Sequence, residues 1–332
     1  MFKVLKFLVA LLIIGNLLSC VNENVVRTVK LTSCVKIPKL ADSIYLSSQI
    51  PCIDYVNKHI YVSDYKQALY VLDDKCNLIN IASHKGNGFG EVQCPTFIYA
   101  APDAKISLFD ECKRKFMYYK DEQYYSIDLE SISSERLSTL CRFFTIGDTI
   151  YHSIINDINT VVKIVNGKVV SKQCKLVDSM DDTRRPIKSQ RHLLRGDNTM
   201  FIIGKGLPIL QEYTFDGKLL NSYDLLADEN LATVYDIKDP KEFNRYNIIV
   251  RDAYYKKGYI YILTSSHEND RYRCNTIYVL QRYENNYIPV VKYRLNGNIY
   301  STFCITDDNR CIAVNDKNSS IEIYNLSNSG NE

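Results

Sequence analysis

Short, mostly apolar segments rich in β-branched and aromatic residues recur along this chain, and each ends in polar residues. They read HIYVSD from residue 59, KISLFD from 105, DTIYHSI from 148, TMFIIGK from 199, YIYILTS from 259 and RCIAVND from 310. Their starts lie 43 to 60 residues apart. Such runs favour β-strands, and this spacing is typical of a repeated β-sheet unit. The chain is therefore predicted to repeat one small sheet six times.

Further strand-like segments flank each copy. An inner strand precedes it, with the sequences IDYV at 53, FIYAA at 97, RFFTI at 142, HLLRG at 192, IVRDAYY at 249 and YSTFCIT at 300. A hairpin partner follows every copy, and an outer strand follows five of them. Two joining turns contain Asn166-Gly167 and Asp216-Gly217, dipeptides that favour tight hairpins because they tolerate positive φ. Four antiparallel strands per copy are typical of a β-propeller blade.

The two ends of the chain complete this pattern. The sixth copy has no outer strand before the terminal SNSGNE, and the strand-like segment 25–37 belongs to no copy. We therefore expect the N-terminal strand to complete the last blade, which leaves no free edge in the ring. The sequence predicts an all-β, six-bladed β-propeller of four-stranded antiparallel blades over 25–326, with a disordered tail at 327–332. A pair of β-sandwiches or a seven-bladed ring would not explain six copies and one orphan strand.

The first twenty residues have the features of an export signal. Lys3 and Lys6 precede an apolar run at 7–14, and small residues follow it. A basic start, a short apolar segment and small residues at its end describe a secretory signal peptide. The run is too short to predict a transmembrane helix.

The tetrapeptide Leu-Leu-Ser-Cys that ends at Cys20 resembles the bacterial lipobox. This resemblance implies a lipoprotein signal peptide at 1–19, a lipid on Cys20 and a tether at 20–30. Because Val21 rather than Asp follows the cysteine, it also implies the outer membrane, on either its periplasmic or its outer side. An ordinary signal peptide with an incidental cysteine is the alternative.

Ten cysteines follow Cys20. An even number in an exported protein permits disulfides. None of them shows CxxC spacing, which argues against a zinc knuckle or a thioredoxin-type site. Cys304 and Cys311 lie in predicted strands, where a free thiol behaves as a small apolar side chain. We expect mostly buried thiols, with one or two disulfides.

The composition excludes some classes of protein. With 332 residues, 46% of them hydrophobic, the chain can form a large folded core. Its formal net charge of +3 gives no general attraction to nucleic acid or to an anionic membrane. We therefore expect no nucleic-acid partner, and contact with the membrane through a lipid anchor only.

A glycine-rich segment links the first predicted blade to the second. It reads KGNGFGE at 85–91, with Gly86, Gly88 and Gly90 before Glu91. Closely spaced glycines allow backbone N–H groups to converge on an anion. The segment lacks the Lys-Ser/Thr of a Walker loop and the βαβ context of a dinucleotide-binding fingerprint. A tight crossing between two blades is the alternative interpretation.

This segment and a nearby Pro95, after a first blade of the YVSD…LYVLD kind, resemble the six-bladed propeller lipoproteins of Bacteroides-like bacteria. Those lipoproteins are related in fold to TolB and NHL-type propellers. The resemblance spans roughly 25–326, and in blades three to five it depends on periodicity alone. It implies a cell-envelope propeller in a family whose members mostly have no assigned activity.

Polar residues follow the second strand of several blades. Ligands of propellers generally meet the channel mouth at the end formed by the turns between second and third strands and by the inter-blade crossings. Besides the 86–91 loop, the candidates there are Asp64, Asp110, Asn156, Asp157, Lys205, His267, Glu268, Asp270, Arg271 and Asp316. The equivalent residues Asp64, Asp110 and Asp316 could form a carboxylate ring for calcium or a polyhydroxylated ligand. Alternatively, each aspartate caps the turn after its strand.

No catalytic motif occurs in the sequence. The five histidines show neither HxH nor HExxH spacing, and there is no Gly-x-Ser-x-Gly elbow. We therefore expect a non-catalytic binding or scaffold protein, without a cofactor, for an envelope protein, peptide or glycan. The alternative is a metal-dependent propeller enzyme, lactonase-like or a glycan lyase or hydrolase, that uses carboxylates of different blades at the channel mouth.

Overall fold

The computed structural model of the protein describes residues 26–33, 35–42, 44–66, 68–120, 123–129, 136–155, 157–176, 188–227, 248–268, 271–284 and 286–326. The predicted signal peptide, Cys20, most of the predicted tether and the predicted C-terminal tail lie outside these residues.

The described strands, in chain order, are β1 (Thr28–Lys30), β2 (Val35–Ile37), β3 (Lys39–Ala41), β4 (Ile44–Tyr45), β5 (Cys52–Val56), β6 (His59–Asp64), β7 (Ala68–Asp73), β8 (Leu78–His84), β9 (Pro95–Ala100), β10 (Ile106–Asp110), β11 (Lys115–Lys120), β12 (Gln123–Asp128), β13 (Phe144–Ile146), β14 (Thr149–Ser153), β15 (Asn159–Val165), β16 (Lys168–Lys175), β17 (Arg191–Arg195), β18 (Met200–Gly204), β19 (Ile209–Tyr213), β20 (Leu219–Asp224), β21 (Val250–Lys256), β22 (Tyr259–Glu268), β23 (Arg271–Tyr283), β24 (Asn286–Arg294), β25 (Tyr300–Ile305), β26 (Arg310–Asn315) and β27 (Ser320–Asn325). A short 3-10 helix, Leu225–Ala227, follows β20. None of the described helices is long and apolar enough to cross a bilayer.

These strands form six four-stranded antiparallel blades in a ring, which confirms the predicted six-bladed β-propeller. From the centre outwards, blades 1 to 4 are β5–β8, β9–β12, β13–β16 and β17–β20. Blade 5 is β21–β24, and blade 6 is β25–β27 with β2 outermost. The inner strands β25 and β5 lie against each other, so the last blade meets the first.

The two predicted glycine turns take different forms. Asn166 and Gly167 form a two-residue turn between β15 and β16, with positive φ angles of 49° and 74°. At the second turn, Gly217 has a φ of 89°, whereas Asp216 does not lie in the positive region. This turn is longer, because the Thr214 N–H donates to the carbonyl oxygen of Lys218 (2.9 Å).

The N-terminal segment closes the ring, which confirms the predicted closure. Strand β2 pairs antiparallel with β27 and places Lys36 opposite Glu322. The buried Glu322 carboxylate accepts hydrogen bonds from the hydroxyls of Tyr300 (2.6 Å) and Tyr324 (2.5 Å). Lys36 Nζ lies 3.2 Å from Oε1 of Glu322. The ring is therefore closed by backbone pairing of β2 with β27 and by the side-chain contacts of Glu322.

The same segment also extends blade 5, which the sequence does not predict. Strand β1 pairs parallel with β24, from Thr28 opposite Lys292 to Lys30 opposite Arg294. The segment is thus two short strands rather than one. It covers the outer edges of both blade 5 and blade 6.

Apolar side chains fill the spaces between neighbouring blades. Buried clusters join blades 5, 6 and 1, blades 1 to 3, blades 3 and 4, and blades 4 and 5. Tyrosines contribute to this core, and Tyr70, Tyr287, Tyr300 and Tyr324 are fully buried. Close packing of this kind fixes the inner strands relative to one another.

The described cysteines agree with the expectation of buried thiols and a disulfide. Cys94 and Cys112 form a disulfide, which links the crossing before β9 to the turn between β10 and β11. The free and buried thiols are Cys52, Cys76, Cys141, Cys174, Cys274, Cys304 and Cys311.

Candidate ligand-binding site at the mouth of the central channel

The ring has two ends with different connections. The turn end carries the turns that join the first strand to the second in each blade, and the third to the fourth in blades 1 to 5. The crossing end carries the second-to-third turns and the crossings to the next blade. The sequence candidates belong to the crossing end. At the turn end, a cavity of about 500 Å³ opens over the central channel, and all six blades contribute to its lining.

Arg142 lies at the floor of this cavity and forms an ion pair with Asp252, which is buried and does not itself line the cavity. Arg142 lies just before β13 in blade 3, and Asp252 lies in β21 of blade 5, beside a bulge. Arg142 Nε is 2.6 Å from Asp252 Oδ1, and Nη2 is 2.7 Å from Oδ2. The two side chains are 5% and 0% exposed. The pair therefore connects two blades across the channel through a buried bidentate contact.

Groups of blades 1 and 6 form further hydrogen bonds with this pair. Arg142 Nη2 also donates to the carbonyl oxygens of Phe303 (2.7 Å) and Ile53 (3.2 Å). Asp252 accepts from Thr302 Oγ1 (2.7 Å) and from the Phe303 N–H (3.1 Å). Burial by itself lowers the pKa of Arg142, but the charge of Asp252 holds that pKa well above its ordinary value. The floor is a charged and well-bonded unit shared by four blades.

Asp54 lies near this pair, in β5. Its carboxylate accepts hydrogen bonds from the N–H groups of Tyr55 (2.9 Å) and Ala100 (2.7 Å). Burial raises the pKa of Asp54, and Arg142 opposes that rise. The Tyr254 hydroxyl donates to the carbonyl oxygen of Tyr55 (3.2 Å). Asp54 therefore keeps a proton at a higher pH than an exposed aspartate does.

Aromatic rings and charged groups form the walls. The tyrosines of the lining are Tyr55, Tyr99, Tyr254 and Tyr255. Lys256 Nζ lies 2.6 Å from Asp307 Oδ1, and the Tyr55 hydroxyl donates to Asp307 Oδ2 (3.3 Å). Lys256 also lies 5.0 Å from the centroid of the Tyr55 ring. This lining offers apolar faces beside hydrogen-bonding groups, as a site for a polar organic ligand requires.

At the crossing end, Asp64 and Asp110 are fully buried and bonded to neighbouring loops. Asp64 accepts from the Ser47 N–H (2.9 Å) and hydroxyl (2.6 Å), and from the Lys66 N–H (3.0 Å). Asp110 accepts from the Gln93 N–H (2.7 Å). These bonds favour the turn-capping interpretation of both aspartates.

Asp316 and Lys205 have other surroundings at the same end. Arg251 Nη2 lies 3.4 Å from Asp316 Oδ2, and burial raises the pKa of Asp316. The buried Lys205 Nζ donates to the carbonyl oxygen of Leu140 (2.9 Å), and burial lowers the pKa of Lys205 to about 8. Within the described residues, no group of three or more His, Cys, Asp or Glu side chains is placed to hold a metal ion.

The remaining polar candidates are described only in part. Asp157 Oδ2 accepts from Lys172 Nζ at 3.0 Å. The backbone of His267 pairs with Tyr272 near the end of the β22–β23 hairpin. The side chains of His267, Glu268 and Arg271, and the whole of Asn156 and Asp270, lie outside the described part of the chain.

The glycine-rich loop binds a carboxylate of its own. Glu91 Oε2 accepts a hydrogen bond from the Gly88 N–H (2.6 Å), and a Cβ atom at Gly86 would clash with the same oxygen. Lys113 Nζ donates to the Glu91 carbonyl oxygen (2.7 Å). Gly90 adopts a left-handed φ of 75°, which glycine tolerates without strain. The glycines thus permit the loop to fold around Glu91.

The floor residues are missing from the sequence candidates. Arg142, Asp252 and Asp54 lie in or beside the predicted inner strands RFFTI, IVRDAYY and IDYV. A charged side chain at the centre of a ring must be paired if it is buried. A charged residue within an otherwise apolar strand was the sequence signal that could have identified them. Which charges pair with each other, however, depends on how the blades are arranged around the ring.

No protein-family profile and no curated protein matches this chain. Among solved structures, a Bacteroides fragilis protein named as a candidate exported protein matches with a TM-score of 0.55 at 13% identity, over 90% of this chain and 98% of that one. A streptogramin B lyase matches with a TM-score of 0.52 at 12% identity, over 86% and 96% of the two chains. At these identities the similarity shows the propeller fold alone.

Proposed function

We propose that this chain is an exported β-propeller that binds an oligosaccharide, without transforming it, in the cavity at the turn end. The lining carries this proposal, since four tyrosines surround a floor of fixed hydrogen-bonding groups. Sugar rings have apolar faces that stack on aromatic side chains, and hydroxyls that need matched donors and acceptors. The volume of about 500 Å³ lies within the range of small-ligand sites.

The bonded floor supports binding rather than turnover. Arg142 and Asp252 are committed to each other and to backbone groups of blades 1 and 6. A site whose polar groups are already fixed loses little conformational entropy when a ligand enters. It also offers few mobile groups for proton transfer.

We propose the cell envelope as the location, with a lipid on Cys20 as the link to the outer membrane. The support is the basic and apolar N-terminus and the Leu-Leu-Ser-Cys sequence. The Bacteroides fragilis neighbour, named as a candidate exported protein, is consistent with export. Among envelope partners we favour a glycan over a protein or peptide because of the aromatic lining.

A glycan array with the purified protein, followed by calorimetry with the strongest binder, tests the function. Tyr255→Leu removes one ring of the lining, and Tyr125→Leu removes a tyrosine that is 56% exposed on β12, away from the cavity. We expect about tenfold weaker binding in Tyr255→Leu, the size of one aromatic contact, and no change in Tyr125→Leu. Binding of peptides alone, or equal binding by both variants, would overturn the proposal.

Asp54 favours one other candidate function, a glycan lyase or hydrolase. Its raised pKa would let it hold the proton that a general acid donates. Mass spectrometry of the bound glycan after incubation decides between the two functions. New products that disappear in Asp54→Asn would establish the enzyme, whereas intact glycan supports the binding protein.

A further inference from the structure

A smaller cavity of about 250 Å³ adjoins the first at the turn end, over blades 2 and 3. Pro102 and Arg195 belong to the linings of both cavities. Gly147, in the turn between β13 and β14, lines the smaller one, and nothing lies within 4 Å of the place where its Cβ would be. We name the two cavities together the trough; Arg195 stands at their junction.

Arg195 has no acidic partner within the described part of the chain. It is the last residue of β17, and its side chain is partly exposed. Its guanidinium lies near the hydroxyl of Tyr99 and acts to lower the pKa of that group. Burial raises the pKa of Tyr99 to about 12 despite this contact, so the hydroxyl remains neutral. Arg195 therefore brings an uncompensated positive charge to the trough.

Most other charges beside the trough are already matched in ion pairs. The ion pairs are Lys105–Asp148 (3.2 Å), Lys120–Asp103 (3.1 Å) and Lys256–Asp307 (2.6 Å). Asp197 and Lys257, which line the larger cavity, have no ion pair within the described residues, and their charges are opposite. Arg195 is thus the one charged residue of the described chain that belongs to both linings, so an acidic ligand can pair with it from either cavity.

We propose that the bound glycan is acidic, that its carboxylate or sulfate group pairs with Arg195, and that its next sugar unit occupies the smaller cavity. This inference rests on the proposed glycan-binding function and adds the class and minimum length of the sugar. A guanidinium presents two parallel N–H donors that match the oxygens of a carboxylate or sulfate. Because the trough extends to both sides of Arg195, a chain of at least two units is needed to fill it.

Calorimetry with defined sugars tests the class of ligand. The probes are trigalacturonic acid, its monomer, the neutral galactotriose and a sulfated tetrasaccharide from carrageenan. We expect trigalacturonic acid or the sulfated sugar to bind at least about tenfold more tightly than galactotriose, and trigalacturonic acid to bind more tightly than its monomer. The two acidic probes distinguish a uronic acid from a sulfate ester.

Two variants test the role of Arg195. Arg195→Gln removes the charge and keeps a polar side chain beside Tyr99, and Lys168→Gln removes an exposed charge from the outer turn of blade 3. The preference for acidic sugars should disappear in Arg195→Gln and persist in Lys168→Gln. If neutral and acidic trimers bind equally, or if Arg195→Gln keeps the preference, this inference fails while glycan binding stands. If no glycan binds, both proposals fail.

Discussion

Arg142 and Asp252 share two hydrogen bonds across the central channel, one of 2.6 Å from Nε and one of 2.7 Å from Nη2. They link blade 3 to blade 5, and their remaining bonds reach blades 1 and 6. One buried ion pair therefore both closes the floor of the cavity and fixes four inner strands. Stability and cavity shape should depend on it together.

Removing either partner should destabilise the protein strongly. Asp252→Leu leaves the Arg142 guanidinium buried without its counter-ion. Arg142→Met likewise leaves the Asp252 carboxylate buried without its counter-ion. Breaking a buried pair on one side typically costs about 3–5 kcal/mol of unfolding free energy. Urea denaturation followed by circular dichroism measures the loss.

The double variant Arg142→Met/Asp252→Leu is the control for this prediction, since it removes both charges at once. It should lose less unfolding free energy than the sum of the single variants. Single variants as stable as the wild type would show that the pair contributes nothing to the ring.

Acid should weaken the closure of the ring through Glu322. Burial raises the pKa of Glu322, but hydrogen bonds from Tyr300 and Tyr324 and the contact with Lys36 outweigh burial and hold it below the ordinary 4.5. A carboxylate with a lowered pKa stabilises the fold at pH values above 4.5. That stabilisation is lost as the pH falls from 4.5 through the folded-state pKa.

Melting temperatures measured between pH 7 and pH 3 check this expectation. Glu322→Gln should melt lower at pH 7 and show a smaller acid-induced decrease. Glu111→Gln, a change at an exposed glutamate, should retain the wild-type pH profile. If the melting temperatures of wild type and Glu322→Gln fell in parallel with pH, Glu322 would not be the source of the acid sensitivity.

Deletion of residues 25–38 should destabilise the whole ring rather than one edge. The deletion removes both β1 and β2, which exposes the outer edges of β24 and β27 and leaves Glu322 without Lys36. Calorimetry should show a lower melting temperature for the entire transition. An unchanged melting temperature would refute closure by this segment. Deletion of 327–332, beyond the last strand, is the matched control.

Reduction of the Cys94–Cys112 disulfide should lower stability by about 2–4 kcal/mol, because the link restricts the unfolded chain. Urea denaturation with and without reductant measures the difference. The double variant Cys94→Ser/Cys112→Ser should be insensitive to reductant, since the other described cysteines are free and buried. If reductant destabilised that variant as much as the wild type, the effect of reductant would not come from the Cys94–Cys112 disulfide.

The fold was predictable because its signals are local. The segment HIYVSD coincides with β6, and the Asn166-Gly167 turn lies where the dipeptide places it. The orphan segment at the N-terminus predicted the closure through β2. Its division into β1 and β2 was not predictable, since the parallel pairing with β24 depends on two blades being adjacent in space.

The candidate site was less predictable because its residues are distant in the sequence. Asp64 and Asp110 were candidates because they occupy equivalent positions in two blades, yet both carboxylates accept hydrogen bonds from nearby backbone N–H groups. Arg142 and Asp252 are 110 residues apart, and no spacing rule connects them. Only the closed ring brings such charges together, and it places the cavity at the turn end.

The location of β1 and β2 at the outermost edge has a mechanical consequence. Any pull on the N-terminus acts first on the rim of blades 5 and 6, at the largest radius of the ring. The inner strands that carry Asp54, Arg195 and Tyr254 lie at the smallest radius, behind three further strands of each blade. Tension on the N-terminus would therefore load the seam between blades 5 and 6 before it reaches the channel mouth.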